Sequence, residues 1–190
     1  WKTEINRLFH ETPQHPVSKS LLKFVHIYEL NEAYFIEMLD GMEMDLKFNR
    51  YENFKQLQLY CYRVAGVVGI LSMKILGFKN QATLKYAHDL GIALQLTNII
   101  RDVGEDARKN RIYIPLDELK EFNVSEDEII TSVVAPAYAL LPRLFLHTHL
   151  FCLQEISSDE GILPARGGKD WYDGGVFYQL HQHECLSTNN

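Results

Sequence analysis

The sequence predicts an all-α domain. Apolar residues recur at three- and four-residue intervals along most of the chain, and no stretch shows the alternation that is typical of successive β-strands. Helix-start and helix-stop residues such as Pro16, Asn31 and Gly77 fall between these periodic segments. With 190 residues, of which 46% are apolar, the chain is long enough to form one domain with a hydrophobic core.

The first half of the chain predicts four helices in succession. Residues 1–10 show helical spacing without a preceding cap, so we expect the chain to open inside a helix. A second helix begins at Pro16, and a third, capped by Asn31, runs to about residue 46. The fourth helix is predicted over 54–76, and Gly77 ends it.

Two further helices follow. A long one is predicted from about residue 81 to 108, ending before Pro115. Ser125 and Glu128 have the spacing of a capping box, in which each side chain binds the backbone N–H of the other, and they predict a last helix. The chain contains no internal repeat and no low-complexity segment.

Composition excludes several classes of protein. The formal charge of −6, without a basic stripe, argues against binding to nucleic acid. The three cysteines, Cys61, Cys152 and Cys185, show no paired spacing, which favours a reducing cytoplasm over a disulfide framework. The apolar stretch 64–78 contains Lys74 and is too short to span a bilayer, so we expect no transmembrane segment. The protein is expected in the cytoplasm, either soluble or peripherally attached to the inner membrane face.

The segment QLTNIIRDVGED, residues 95–106, carries the strongest indication of a functional site. Gln95, Asn98, Asp102 and Asp106 fall on a stripe about 80° wide along one face of the predicted helix. Apolar residues flank the stripe, so we expect it to face a lined cavity. Its oxygen atoms, with Glu105 beside them, suit Mg²⁺. The alternative is an exposed acidic helix end, and the spacing alone favours neither.

Longer strings around this stripe resemble a known family. QLTNIIRDVGEDARKNRIYIP, YCYRVAGVVG and DGMEMDL are similar to segments of the squalene/phytoene synthases, over roughly residues 1–145. WKTEINRLF and HPVSKSLL resemble most closely the bacterial branch that makes presqualene diphosphate, on the way to hopanoids or squalene. Bacterial phytoene synthases, which belong to carotenoid biosynthesis, come next. The resemblance implies an isoprenoid (terpenoid) synthase-type helical bundle.

The resemblance also implies an activity and a set of site residues. The family joins two prenyl diphosphates through their C1 ends, and Mg²⁺ assists loss of the diphosphate. Farnesyl diphosphate going to presqualene diphosphate is the first choice here, and geranylgeranyl diphosphate going to phytoene is the second. The implied metal ligands are Asn98, Asp102, Glu105 and Asp106. The implied substrate-binding residues are Gln95, Arg111 and Tyr113.

Tyr60 matches the family tyrosine that lies near the reacting carbons, and it is the expected catalytic residue. Ala65, Gly66 and Gly69 leave room either for a neighbouring helix or for an isoprenoid chain. Several apolar residues are candidates for a substrate tunnel, although core packing explains each of them as well: Phe35, Met38, Leu39, Met42, Val64, Val68 and Leu71.

Three other polar residues could lie near the site. Asp45, a single carboxylate near a helix end, could face the site. His88 projects onto the stripe that bears Asp102, whereas Arg101 is turned from it by about 100° and is expected in a structural salt bridge.

The sequence departs from the family in two places. The family has two acidic motifs, but no second Asp-x-x-x-Asp occurs upstream of Asp102. We therefore expect 1–153 to be a partial family domain, incomplete at its N-terminus, and a truncated, non-catalytic helical relative is the competing interpretation. Residues 154–190 are expected to form a divergent, poorly ordered tail. Mg²⁺ is the cofactor that the resemblance implies. No dinucleotide-binding motif is present, although the family binds nicotinamide cofactors without one, and squalene as product would require NADPH.

Overall fold

The computed structural model describes residues 1–131, and this part of the chain is helical apart from short connections. Within it, the backbone pairing of Arg50 with Ile112 is an isolated bridge and no strand forms. The helices, in chain order, are α1 (Lys2–His10), α2 (Pro16–Ile27), α3 (Glu32–Lys47), α4 (Phe54–Cys61), α5 (Val67–Leu76), α6 (Gln81–Arg108), α7 (Leu116–Glu121) and α8 (Glu126–Thr131). The all-α prediction is confirmed. Cys152, Cys185 and the predicted tail 154–190 lie outside the described residues.

The predicted helix boundaries rest on the expected local contacts. The Asn31 side chain accepts a hydrogen bond from the N–H of Ala33 at 2.8 Å and opens α3. Gly77 ends α5 with φ at 90°, a conformation that favours glycine. Ser125 and Glu128 form the capping box before α8, with bonds of 2.7 Å and 3.2 Å between each N–H and the other side chain.

The predicted helix over 54–76 is interrupted, which is a correction. A π-helical turn, Tyr62–Gly66, separates α4 from α5. The turn packs against α3, where a Cβ added to Gly41 would lie 2.8 Å from the Cβ of Arg63. A wider turn at this point therefore depends on a tertiary contact, which the spacing of apolar residues does not reveal. The short helix α7 was also not predicted, because six residues give too little periodicity.

Helices α5 and α6 pack with their backbones in contact. A Cβ added to Gly69 would lie 2.2 Å from the carbonyl oxygen of Ala87, and one added to Gly91 would lie 2.5 Å from that of Ala65. The two glycines thus face each other's helix. Of the two explanations for the small residues at 65–69, close approach of a neighbouring helix is the one seen in the structure.

Two groups of buried residues form the core. The first surrounds α6 and includes α4, α8 and the segment after α6, with Leu57, Leu96 and Ile114 fully or nearly fully buried. The second joins α1, α2, α3 and α5 through residues such as Leu8 and Val67. The side of α6 that faces the first group positions its polar stripe at the edge of the core.

The helical run over 54–76 bears on the expectation that no segment spans a membrane. It has 23 residues, and an 18-residue window within it has a mean hydropathy of 1.5, so by length and composition it could cross a membrane. The apolar stretch 64–78 covers only the later part of this run, which begins at Phe54. A buried core helix meets the same criteria, and Leu57, Cys61 and Val67 of this run are buried in the core.

Substitution of glycine in the α5–α6 contact tests this packing. Gly69→Ala is expected to lower the free energy of unfolding by about 1–3 kcal/mol, because the new methyl group meets a carbonyl oxygen. Gly104→Ala is the matched control, since only the end of the Arg108 side chain lies near a Cβ at that position. It should raise stability by about 0.5–1 kcal/mol through helix propensity. Urea unfolding measures both, and equal effects would contradict the packing.

Glu118 on α7 predicts a dependence of stability on pH. Burial, with the charges of Asp117 and Glu121 nearby, raises the pKa of Glu118 to about 7. Between its ordinary value of 4.5 and about 7, the folded chain binds more protons than the unfolded chain. The free energy of unfolding should therefore fall as the pH rises through this interval. Glu118→Gln should flatten that fall in urea unfolding at pH 5 and pH 8, whereas Glu52→Gln, at an exposed position, should not.

Candidate active site

Helix α6 carries the polar stripe at the edge of the core. Its buried face consists of small and branched apolar residues: Ala87, Ile92, Ala93, Leu96, Ile99, Val103 and Ala107. The four stripe residues, Gln95, Asn98, Asp102 and Asp106, are all partly buried. They lie beside the core without entering it, which agrees with the position that the spacing predicts.

Asp102 is paired with the residue that precedes it. Arg101 donates two hydrogen bonds to its carboxylate, from Nε at 2.8 Å and from Nη2 at 2.7 Å. The guanidinium group lowers the pKa of Asp102, so this carboxylate is ionised at neutral pH. Arg101 is 67% exposed, and its salt bridge is the structural role expected for it. Its partner, however, is a member of the stripe itself.

Glu105 lies further from the core than the other acidic residues. Its carboxylate accepts a hydrogen bond of 2.6 Å from Lys109, and both side chains are 59% exposed. This is an ion pair between residues one turn apart on a solvated surface, and the pKa of Glu105 is lowered by Lys109. The position of Glu105 thus differs from that of the two stripe carboxylates.

The pKa of Asp106 is shifted in the opposite direction from that of Asp102. Burial and the nearby charge of Asp102 raise the pKa of Asp106. It lines a small cavity together with Val103, Arg111 and Tyr113. A cation at this point would lie near two carboxylates on adjacent turns, and it would relieve the repulsion between them.

The donors present fit a magnesium ion that keeps several water or phosphate ligands. Asp102 and Asp106 supply carboxylate oxygens, and Asn98 adds an amide one turn away. Within residues 1–131, no three His, Cys, Asp or Glu side chains converge in a way that would hold a metal by themselves. The site therefore suits a metal shared with a bound anion better than a metal enclosed by protein alone.

A second polar cluster surrounds Asp45 near the end of α3. Its Oδ1 accepts a hydrogen bond from the hydroxyl of Tyr113 at 2.8 Å, and its Oδ2 accepts one from the hydroxyl of Tyr60 at 3.2 Å. Arg111 approaches Oδ1 at 3.4 Å and donates to the carbonyl oxygen of Asp45 at 3.0 Å. Three side chains, those of Tyr60, Arg111 and Tyr113, thus share the Asp45 carboxylate, and we call these four residues the Asp45 network.

Three tyrosine rings enclose the Asp45 network on one side. Tyr51 lies 5.5 Å from Tyr60 and 5.6 Å from Tyr113 between ring centroids, and Tyr60 and Tyr113 are 5.3 Å apart. Tyr51 is 2% exposed, and its hydroxyl is buried without a hydrogen-bond partner in the described structure. Burial raises the pKa of Tyr60, so its phenol keeps its proton at neutral pH.

The segment after α6 is held in place by pairing with the segment after α3. The N–H of Ile112 donates to the carbonyl of Asn49 at 3.0 Å, and that of Leu116 donates to Tyr51 at 2.9 Å. Arg50 adds bonds from its guanidinium group to the backbone and side-chain oxygens of Asn110, at 2.7 Å and 2.9 Å. It also pairs with Glu126 at the start of α8. These contacts place Arg111 and Tyr113 next to Asp45.

Comparison with known proteins identifies the family. The family model described as Squalene/phytoene synthase matches residues 1–147. The chain belongs to the squalene/phytoene synthase family. It is 42% identical over 178 residues to "Phytoene synthase, chloroplastic" of Narcissus pseudonarcissus, covering 90% of this chain and 41% of that protein. It is 40% identical to "15-cis-phytoene synthase" of Synechococcus elongatus over 146 residues, 70% of this chain and 47% of the other.

Solved structures of squalene/phytoene synthase type have the same fold. Squalene synthase HpnC from Alicyclobacillus acidocaldarius superposes with a TM-score of 0.74 at 22% identity, over 86% of this chain and 62% of that one. A dehydrosqualene synthase in complex with a ligand gives 0.70 at 29% identity, over 82% and 55%. The chain spans less than half the length of the curated relatives named above.

The structure brings the predicted squalene/phytoene synthase site residues into two neighbouring groups. Gln95, Asn98, Asp102 and Asp106 lie along α6, and Tyr60, Arg111 and Tyr113 meet at Asp45. Arg111 and Tyr113 also line the cavity that Asp106 reaches, so they connect the two groups. Their catalytic, metal-binding and substrate-binding roles stay predictions.

The tunnel candidates separate by burial. Phe35 and Leu71 are buried in the second core group, and Met38, Leu39 and Val64 pack against one of the two groups. Met42 and Val68 remain exposed, at 54% and 39%. Core packing therefore explains Phe35 and Leu71, whereas the other five keep part of their surface exposed within the described structure: Met38, Leu39, Met42, Val64 and Val68.

His88 lies far from Asp102 and Asp106 along α6. It is fourteen residues before Asp102, which places it about 21 Å away along α6. Its ring contacts that of Tyr62 at 5.6 Å, and its Nδ1 bonds the Asp89 carboxylate at 2.6 Å. The shared angular position on α6 thus does not bring His88 to the stripe.

Sequence reasoning missed two residues that shape this site. Arg50 and Tyr51 are adjacent in the string DGMEMDLKFNRYENF, and neither was singled out. Both act through contacts with residues about sixty positions later, which no local pattern predicts. Asp45 was considered, but a single carboxylate gave no indication of its three side-chain partners.

Arg50 predicts a measurable contribution to stability. Arg50→Lys should lower the free energy of unfolding by about 1–3 kcal/mol, because an ammonium group cannot reach Asn110 and Glu126 together. Arg108→Lys, at an exposed position on α6, is the matched control and should change stability by less than about 0.5 kcal/mol. Guanidinium unfolding compares the two, and equal small effects would show that the Arg50 contacts contribute nothing.

Proposed function

We propose that this protein condenses two prenyl diphosphates head-to-head, with loss of diphosphate assisted by Mg²⁺. The observation that carries the proposal is the half-buried pair Asp102 and Asp106 on α6, beside a cavity lined by Arg111 and Tyr113. Membership of the squalene/phytoene synthase family supports the reaction type. Because the chain spans less than half of its relatives, the activity of the whole enzyme is itself part of the proposal.

In this proposal Asp102, Asp106 and Asn98 hold the metal from one face of α6. A magnesium ion bound there would act as a Lewis acid on the diphosphate oxygens and stabilise the leaving group. Arg101 shares Asp102 with any cation, so metal binding requires its exposed guanidinium group to move aside. Glu105, paired with Lys109 on the solvated side, would join the metal set only after breaking that pair.

Tyr60 serves the cationic intermediate in two ways. Its phenol stays protonated and donates to Asp45, so its oxygen keeps a defined orientation. The rings of Tyr60, Tyr51 and Tyr113 present π-faces that can stabilise positive charge while their packing excludes water. Gln95 lies two turns before Asp102 on the same stripe, within reach of the substrate chain rather than the metal.

The relatives favour geranylgeranyl diphosphate as substrate and phytoene as product. Proteins that are 36–42% identical to the chain are called phytoene synthases. Farnesyl diphosphate, giving presqualene diphosphate, is the second candidate, and the likeness to a dehydrosqualene synthase at 29% identity supports it. An apolar product would favour peripheral contact with a membrane, and three cysteines without paired spacing favour the cytoplasm as the compartment.

Turnover of labelled substrates tests the proposal. The purified chain is incubated with Mg²⁺ and radiolabelled geranylgeranyl or farnesyl diphosphate, and pyrophosphate release and C40 or C30 product are measured. Asp102→Asn should lower turnover by about a hundredfold or more, because the Lewis acid contributes several kcal/mol to the barrier. Asp127→Asn, an exposed residue on α8, is the matched control and should leave turnover unchanged.

The possible outcomes separate the candidates. A C40 product identifies phytoene synthesis, and a C30 product identifies the farnesyl reaction. Full activity of Asp102→Asn would remove the metal assignment. Release of no pyrophosphate by this chain, but activity of a longer version that carries the family's first acidic motif, would identify an inactive fragment. Release of none by both would favour the competing function, a non-catalytic helical relative.

A further inference from the structure

The outer face of α2 carries a stripe of exposed apolar side chains. Val17, Phe24 and Ile27 are 58%, 44% and 54% exposed. With about 100° of rotation per residue, they fall within an arc of about 80° on the side of α2 that is turned away from the buried residues Ser18 and Val25. Single exposed apolar residues are common on protein surfaces, whereas several on one face of a helix indicate a binding surface.

Two lysines border this apolar stripe. Lys19 and Lys23 are both exposed, and Nζ of Lys23 lies 6.0 Å from the centre of the Phe24 ring. Helix α2 contains no aspartate or glutamate, although the chain as a whole has a formal charge of −6. A positive and apolar helix face on an acidic protein is complementary to an anionic lipid bilayer, which offers negative head groups above an apolar interior.

The end of α5 adds exposed apolar residues beside the end of α2. Nζ of Lys74 donates to the carbonyl oxygen of Glu29 at 3.3 Å, and Glu29 is the only acidic residue between Pro16 and Asn31. Ile75 and Leu76, which follow Lys74, are 48% and 78% exposed. Exposed apolar residues therefore occur on two neighbouring helix ends, which favours contact with an extended surface.

This part of the molecule lies far from the acidic stripe on α6. Helix α5 ends at Leu76 and α6 begins at Gln81, so the end of α5 adjoins the start of α6. Asp102 is about 32 Å further along α6. Charges are screened over about 8–10 Å at physiological ionic strength. An anionic bilayer at α2 would therefore neither cover the acidic stripe nor be repelled by it.

We propose that the outer face of α2, with the end of α5 beside it, binds this protein to an anionic membrane. Val17, Phe24 and Ile27 enter the apolar boundary of the bilayer, and Lys19 and Lys23 contact the lipid head groups. The inference rests on the proposed function for its purpose, because it assigns a surface to the membrane contact that an apolar product favours. Binding to lipid does not require catalysis, so the two can fail separately.

Sedimentation with lipid vesicles tests the inference. The chain is mixed with vesicles of phosphatidylcholine alone, or of equal parts phosphatidylcholine and phosphatidylglycerol, and the bound fraction is measured against lipid concentration. The parent chain should bind the anionic vesicles about tenfold or more tightly than the neutral ones, because the lysines are attracted to anionic lipid. The double variant Phe24→Ser with Ile27→Ser should lose about tenfold or more in affinity for the anionic vesicles.

Leu46→Ser is the matched control for the apolar variant. Leu46 is 86% exposed, and it lies at the end of α3, where the chain pairs with the segment after α6 through Asn49 and Ile112. It is thus near the end of α6 that is remote from α2. The affinity of Leu46→Ser for the anionic vesicles should equal that of the parent chain.

Charge variants separate the electrostatic contribution from the apolar one. Lys19→Gln with Lys23→Gln should lower the affinity for the anionic vesicles by about tenfold or more, and it should leave binding to phosphatidylcholine unchanged. Lys55→Gln with Lys120→Gln removes the same charge from exposed positions on α4 and α7. This matched control should change the affinity by less than about threefold, because its charges are not at the lipid surface.

A tryptophan placed in the surface gives a second measurement that does not depend on weakened binding. In Phe24→Trp, brominated phosphatidylcholine in the anionic vesicles should quench the fluorescence that the new residue adds to that of the parent chain. In Leu46→Trp, the added fluorescence should not be quenched.

Each remaining outcome would overturn the inference. Equal binding of the parent chain to the two kinds of vesicle would do so, as would equal affinities of the double serine variant and Leu46→Ser. A parent chain that does not bind vesicles but forms a dimer, which the double serine variant dissociates, would assign the surface to a second copy of the chain. Failure of the proposed function appears separately, as a chain that binds anionic vesicles as expected and releases no pyrophosphate from either prenyl diphosphate.

Discussion

The Asp45 carboxylate lies among three tyrosine rings, and its need for a positive partner governs much of the surrounding structure. Arg111, which supplies that charge, belongs to the segment after α6 and reaches Asp45 only because this segment folds back along the residues after α3. The backbone pairing of Ile112 with Asn49 and the guanidinium contacts of Arg50 maintain that return. One partly buried charge thus links the end of α3, the end of α4 and the segment after α6.

The contact between α5 and α6 also determines where the site residues lie relative to one another. Gly69 and Gly91 bring the two helix backbones together, so neither helix can slide or rotate without a clash between main-chain atoms. Tyr60 lies one π-helical turn before α5, whereas Asp102 and Asp106 lie three to four turns beyond Gly91 on α6. The tight contact therefore fixes the tyrosine cluster relative to the acidic stripe, although it includes no residue of either.

The helix starts and stops predicted from the sequence were largely correct, because each depends on a few consecutive residues. An asparagine cap, a glycine with positive φ and a capping box each depend on three or four consecutive residues, and Asn31, Gly77 and Ser125 act as expected. The π-helical turn and the Asp45 network depend on residues far apart in the chain. Arg101 shows the same limit on a smaller scale, because adjacent residues do not share a helix face, yet its long side chain returns to Asp102. The family could be recognised from its strings, whereas the contacts among its residues required the fold.

The pKa values of the two stripe carboxylates are shifted in opposite directions, and this difference affects how the proposed site would bind a cation. Arg101 lowers the pKa of Asp102, whereas burial and the charge of Asp102 raise that of Asp106. A dication held by both carboxylates would have to displace Arg101 from Asp102, whereas no cationic side chain is hydrogen-bonded to Asp106 in the described structure. The exposed guanidinium loses little in moving to water, since surface ion pairs contribute only about 0–1 kcal/mol. In the proposed site, Arg101 would therefore balance the charge of Asp102 in the absence of substrate at small cost to metal binding.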